Sequence, residues 1–171
     1  MAKAVLISIR PRWCQKIVDG EKTIEVRKNR PKLKTPFKCY IYCTKKNGGL
    51  IKGDIPTTVG YIAKNEGKVI GEFVCDEIIS IAGAGRISSD IARPTCIEPA
   101  ELHRYLGAAN GYGWHISDLK IYDQPRELGA FRKPEYPTGL RLEDDEIKRP
   151  PQSWCYVEER CYGSEASYRD P

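Results

Sequence analysis

The chain of 171 residues has little of what metal and disulfide sites require: two histidines, one methionine and seven cysteines with no CxxC pair. His103 and His115 stand alone, without the ligand spacing of a zinc site, so no metal is expected. The cysteines, at 14, 39, 43, 75, 96, 155 and 161, are odd in number and scattered. That excludes a fully paired framework and leaves them as small, reduced core residues. No apolar run approaches the roughly 18 residues needed to cross a bilayer. The stretch Ala4 to Ile9 is too short, and too soon followed by Arg10 and Arg12, for a signal peptide. No membrane partner is expected, and the expected location is cytoplasmic. Gly83-Ala84-Gly85-Arg86 lacks the Lys-Ser ending and following helix of a phosphate loop, so it reads as a turn and no cofactor is expected.

Against those absences stands an ordinary globular balance, 40% hydrophobic and 30% charged residues, with length for one core of moderate size. Residues 1–157 are expected to form one domain, with 158–171 a polar, loosely held tail. The net charge of +5 conceals an asymmetry: residues 1–53 hold 14 Lys or Arg against 3 Asp or Glu, a net +11, leaving −6 for the remainder. Such a local positive field concentrates anionic, phosphate-bearing partners. The same lysines would equally serve to solubilise a surface, and charge alone does not separate the two readings.

The pattern along the chain is one of short strands with occasional helices. Val5 to Ile9 reads as a buried strand, and Pro11 then opens a short helix over residues 12–19 that ends at Gly20. Thr23 to Arg27 alternates with period two, as in a strand buried on one face. A cationic loop broken by Pro31 and Pro36 follows, and the strand Phe37 to Thr44 turns Phe37, Cys39, Ile41 and Cys43 one way and Lys38, Tyr40, Tyr42 and Thr44 the other. After a glycine-rich loop over 47–58, Lys68 to Ile81 reads as one long strand with a bulge at Gly71, ended by Gly83 and Gly85. A helix from Pro99 to Gly107, a strand from Trp114 to Tyr122, a helical turn over 125–128 and a closing strand from Ser153 to Val157 complete the series. This irregular interleaving favours an α+β class with a mostly antiparallel, barrel-like sheet and two or three short helices.

One stretch concentrates chemistry. Gly20-Glu21-Lys22-Thr23-Ile24-Glu25-Val26-Arg27 ends a helix on glycine and then sets two cations about one carboxylate. Glu25 and Arg27 lie two apart on one strand face, with Lys22 at the junction. Arg27 and Lys22 can bind phosphate while Glu25 orients the arginine or accepts from a base amino group. Taken alone, such a match reads as a surface ion-pair ladder of small energetic value. Its setting is more specific: it follows a strand and helix containing Ser8-Ile9-Arg10-Pro11 and precedes a strand ending Ile41-Tyr42-Cys43-Thr44.

That ordered set, with Gly20, Lys22, Glu25 and Arg27 matching GxKxxExR, resembles the ASCH domain family over most of residues 4–122. The resemblance implies a PUA-like β-barrel. It also implies a cleft, between the barrel and the helix after its first strand, that binds RNA. The motif side chains are then expected to face solvent at the rim of this site, with Thr44 or Trp114 in its wall. The expected ligand-binding set is Arg10, Lys22, Glu25, Arg27, Thr44 and Trp114, and the expected partner is RNA or a nucleotide, modified or unmodified.

A base also needs a stacking surface. Trp13, Tyr40, Tyr42, Trp114 and Trp154 are the candidates, although tryptophans of a domain this size are mostly core residues. Trp114 leads because Gly111 and Gly113 leave room beside it. Some small bacterial family members are amidohydrolases acting on acetylated cytidine, using the motif lysine, a threonine three residues later and a distant glutamate. Here Glu25 occupies the threonine position, and Thr23 is out of register. No catalytic residue is therefore assigned; were the chain an enzyme, Lys22 and Glu25 would be the candidates for amidohydrolase chemistry on a modified nucleoside. A protein-interaction adaptor is the third reading, favoured if the basic face is flat and apolar.

Overall fold

The computed structural model describes residues 2–45, 60–83, 87–135 and 145–159. The glycine-rich loop over 47–58, the glycine at 85, Cys161 and the tail from 160 onward lie outside the described residues.

Strand β1 (Lys3–Ile9) leads into helix α1 (Pro11–Val18), strand β2 (Ile24–Arg27) and strand β3 (Phe37–Cys43). Helix α2 (Tyr61–Lys64), β4 (Val69–Cys75), β5 (Ile78–Ile81), α3 (Ser89–Thr95) and α4 (Pro99–Leu106) follow. The described chain ends with β6 (Gly111–His115), β7 (Ser117–Arg126), a short 3-10 turn at Leu128–Ala130 and β8 (Trp154–Glu158). The class is α+β, with a five-stranded sheet in the order β7-β4-β3-β1-β8 and a three-stranded sheet in the order β2-β6-β5. All pairs are antiparallel except β1 with β3. Among the described residues the ladders form these two sheets and not one closed ring.

Two segments read from the sequence as single strands are each two strands in different sheets. β4 of the large sheet passes through Asp76-Glu77 into β5 of the small one, and β6 of the small sheet passes through Ile116 into β7 of the large one. Uninterrupted apolar and β-branched character carries no mark of where a strand changes sheet, and corners of this kind are built from such bends. The bulge expected at Gly71 is present, because the register with β3 shifts where Ile70 is left over. A Cβ at Gly71 would lie 2.4 Å from the carbonyl oxygen of Lys120, so the glycine lets β7 approach. The turn expected over 125–128 is instead strand as far as Arg126, with the 3-10 turn after it.

The alternation within β3 separates two cores. Phe37, Cys39, Ile41 and Cys43 join Ile7, Ile9, Cys14, Ile17 and Trp114 between the sheets and α1. Tyr40 and Tyr42 pack on the opposite face with Leu6, Phe131, Ile147 and Val157. Neither tyrosine is available for stacking on a base, because Leu128, Ala130, Phe131 and Ile147 pack on that face of the sheet. A third cluster lies under α3 and α4 and contains Val26, Ile81, Leu102 and Leu106. Cys14 and Cys39 are free thiols held protonated by burial, and burial raises Cys75 to about 12.

Candidate nucleotide-binding site

Helix α1 begins with Pro11 at its first position, buries Pro11, Cys14 and Ile17, and ends before Gly20, whose φ of +74° is the left-handed cap read from the sequence. This turn reverses the chain and delivers Lys22 beneath α3. The Lys22 ammonium donates to the carbonyl oxygens of Thr95 at 2.7 Å and Ile24 at 2.9 Å, and lies 3.2 Å from Glu25 Oε2. Thr95 is the last residue of α3, where helix carbonyls have no partner within the helix. A cation at that end satisfies the acceptor and the helix dipole together.

β2 runs antiparallel to β6, with Glu25 opposite Trp114 and Arg27 opposite Tyr112. Glu25 and Arg27 therefore share one face, as their spacing predicted, while Val26 joins the cluster under the two helices on the other. Arg27 Nη2 lies 2.9 Å from Glu25 Oε1 and donates to the Ser8 carbonyl at 2.6 Å, and Nη1 donates to Ser153 Oγ at 3.3 Å. The three motif side chains thus form one line, Lys22–Glu25–Arg27, with the carboxylate between two cations.

The expectation that these side chains face solvent is corrected by their burial: Lys22 is 1% exposed, Glu25 5% and Arg27 8%. The period-two pattern marked β2 as half-buried, but both faces are covered, the polar one where Arg27 meets Ser8 of β1 and Ser153, and the apolar one by the cluster under α3 and α4. Trp114 is likewise no wall of an open site. It is fully buried, edge-on to Phe37 at 5.9 Å and 6.0 Å from Trp154. Arg27 Nε and Trp114 Nε1 are buried donors without a hydrogen-bond partner.

Arg10 is exposed at the N-terminus of α1. Thr44 is half-buried, and its amide donates to the carbonyl of Ile9. Because β1 and β3 are parallel, Arg10 and Thr44 leave the sheet at the same end, where Arg27 also bonds to Ser8.

Above the buried line stands a more open group that sequence reading only partly found. The Arg12 guanidinium stacks 3.9 Å over the Trp13 ring and pairs with Glu101 of α4 at 3.0 Å, while Lys22 Nζ lies 5.0 Å from the same ring. One helical turn after Glu101 comes Tyr105, the large hydrophobic side chain recorded as exposed among the described residues, at 40%. Lys28 Nζ sits 5.2 Å from its ring, and Arg30 is placed similarly 5.6 Å from Tyr112. Partial burial raises the Tyr105 phenol, opposed by Arg27 and Arg10 and reinforced by Glu25, which places all three charges about it. Tyr105 was missed, although its position on the flank of the buried Leu102 and Leu106 stripe of α4 was available as a signal.

Among the described residues, no three His, Cys, Asp or Glu side chains gather as metal ligands would. No helix among them is long and apolar enough to cross a membrane.

The sequence matches the ASCH domain over residues 7–106, more than half of its length, and the chain belongs to that family. Its fold is similar to the crystal structure of ASCH from Zymomonas mobilis, with a TM-score of 0.58 at 19% identity over 91% of this chain and 88% of that one. Two crystal structures of mutant proteins of that ASCH, one tyrosine-to-phenylalanine and one serine-to-alanine, agree. They give TM-scores of 0.59 at 20% identity, covering 92% of this chain and 92% of that one, and 0.59 at 19% identity, covering 91% and 89%. No curated protein matches the chain.

Proposed function

We propose that this chain binds RNA or a nucleotide between α1 and α4, over the motif, as a noncatalytic cytoplasmic module. The observation that carries the reading is Tyr105. Its exposed ring stands beside Lys28, on the same face of α4 as Glu101, which reaches Arg12 and the Trp13 ring across the gap. An aromatic face flanked by cations is what a base with an attached phosphate requires. In this reading Lys22, Glu25 and Arg27 form the rigid floor, holding α3, β1 and β2 in place, while Arg10, Lys28 and Tyr105 meet the ligand. Thr44 borders the same end of the sheet. The bends through Asp76-Glu77 and Ile116 carry the chain between sheets, which supports treating the pair as parts of a PUA-like barrel.

Hydrolysis of acetylated cytidine fits less well. The Lys22 ammonium has donors directed to two carbonyls and a carboxylate, and a glutamate beside it suits a charged lysine better than a base. An adaptor role fits less well, because Lys28 and Glu101, both charged, stand beside Tyr105 among the described residues.

The test is titration of nucleoside monophosphates and short single-stranded RNAs by thermal shift and calorimetry, with wild type beside Tyr105→Ala. Bound ligand is expected to raise the unfolding temperature. Loss of the ring is expected to cost about 1 to 3 kcal/mol of affinity. Equal affinity in the two proteins would refute the site, and no binding at low salt would refute the reading.

A further inference from the structure

The segment after β2 is Lys28-Asn29-Arg30-Pro31-Lys32-Leu33-Lys34, with a cation at every second position and no acid. The structure gives this alternation a physical form. Lys28, Arg30, Lys32 and Lys34 are all exposed, while Pro31 is buried and Leu33 is half-buried against the main core. The Lys32 amide donates to the Tyr156 hydroxyl at 2.7 Å, which fixes the middle of the segment to β8. Held at Pro31 and Leu33, the segment leaves its four cations on the surface.

Some basic side chains elsewhere find acids: Arg12 with Glu101, Lys16 with Glu21, Lys38 with Glu72, and Lys68 with Glu127. None of the four cations of this row has a carboxylate partner among the described residues. Lys28 and Arg30 instead lie against the rings of Tyr105 and Tyr112. Beyond them residues 30–35, with Ile78, line a hollow of about 520 Å³. Four like charges held close together repel one another, and an anionic partner relieves that repulsion. The row begins at Tyr105 and leads away from it.

Building on the proposed site, we infer that residues 28–34 are a track for the sugar-phosphate backbone of a single-stranded polynucleotide whose base is held at Tyr105. The ligand is then a polymer and not a mononucleotide. Six residues span at most about 20 Å when extended. At about 3.4 Å per stacked nucleotide, that bound admits no more than about six nucleotides.

The experiment measures affinity for uridine monophosphate and for oligouridylates of increasing length, over a range of salt. Proteins compared are wild type and Arg30→Ala/Lys32→Ala/Lys34→Ala, whose changed side chains are exposed. Wild-type affinity should rise with length and level off at or before about six nucleotides. The triple variant should bind the monophosphate as wild type does, lose most of the gain with length, and show a slope of log affinity against log salt smaller by about 2 for the hexamer. Glutamine at the same three positions should reproduce this, with unfolding temperatures showing that all the proteins are folded.

Affinity independent of length, or a variant that binds the hexamer as tightly as wild type, would overturn the track while leaving nucleotide binding at Tyr105 in place. Equal binding of a poly-glutamate chain would overturn the polynucleotide assignment. Absence of binding by either the monophosphate or the hexamer would overturn the track together with the site on which it rests.

Discussion

Lys22 Nζ lies 2.7 Å from the carbonyl oxygen of Thr95, so the lysine of the family motif caps the C-terminus of α3. Glu25, 3.2 Å from the same ammonium, balances both this cation and Arg27 in a region closed to water. The motif thereby joins three pieces of the fold: the turn after α1, the end of α3 and the junction where Arg27 reaches Ser8 of β1.

Glu25→Gln is expected to destabilise the protein by about 3 to 5 kcal/mol, because it leaves two buried cations without their counter-charge. Urea denaturation measures the loss. Adding Lys22→Met to Glu25→Gln should cost less than the sum of the separate changes, as coupled neighbours do. Additive costs, or a loss below 1 kcal/mol, would show that the line of charges is not a unit.

Trp114 and Tyr105 should behave as opposites. Trp114→Ala empties a fully buried site beside Phe37 and Trp154, and should lower stability by about 3 to 5 kcal/mol in a denaturant titration. The exposed Tyr105 ring should tolerate alanine with a change within about 0.5 kcal/mol while ligand affinity falls. A large stability loss at Tyr105 would make it a packing residue and remove it from the site.

The corner between β4 and β5 carries a pH signature. A hydrogen bond from the His115 side chain holds the Asp76 carboxyl below its usual range. A depressed carboxylate stabilises the fold above its unfolded pKa, near 3.9, and loses that contribution as the pH falls through the lower folded value. Asp76→Asn should therefore lower the unfolding temperature at pH 5 to 6, with the difference from wild type shrinking below about pH 4. A difference independent of pH would assign the effect to hydrogen bonding or packing and not to the charge.

What the chain determines locally was legible without coordinates. Pro11 and Gly20 bound α1, the alternation in β2 puts Glu25 and Arg27 on one face, and the two-sided pattern of β3 divides the cores, because helix caps and strand periodicity act through neighbouring residues. The GxKxxExR spacing also identified the family. The tertiary structure alone decided whether those side chains meet solvent. α3 escaped notice because Pro94 lies inside it, yet its last carbonyl is what draws Lys22 inward. Trp114 shows the same division: flanking glycines signal close packing, but whether a ligand or Phe37 and Trp154 fill the space depends on strands distant in sequence. Even the bends that carry β4 into β5 and β6 into β7 leave the apolar pattern unbroken, since the face a residue buries is set locally and the partner it buries against is set by the whole fold.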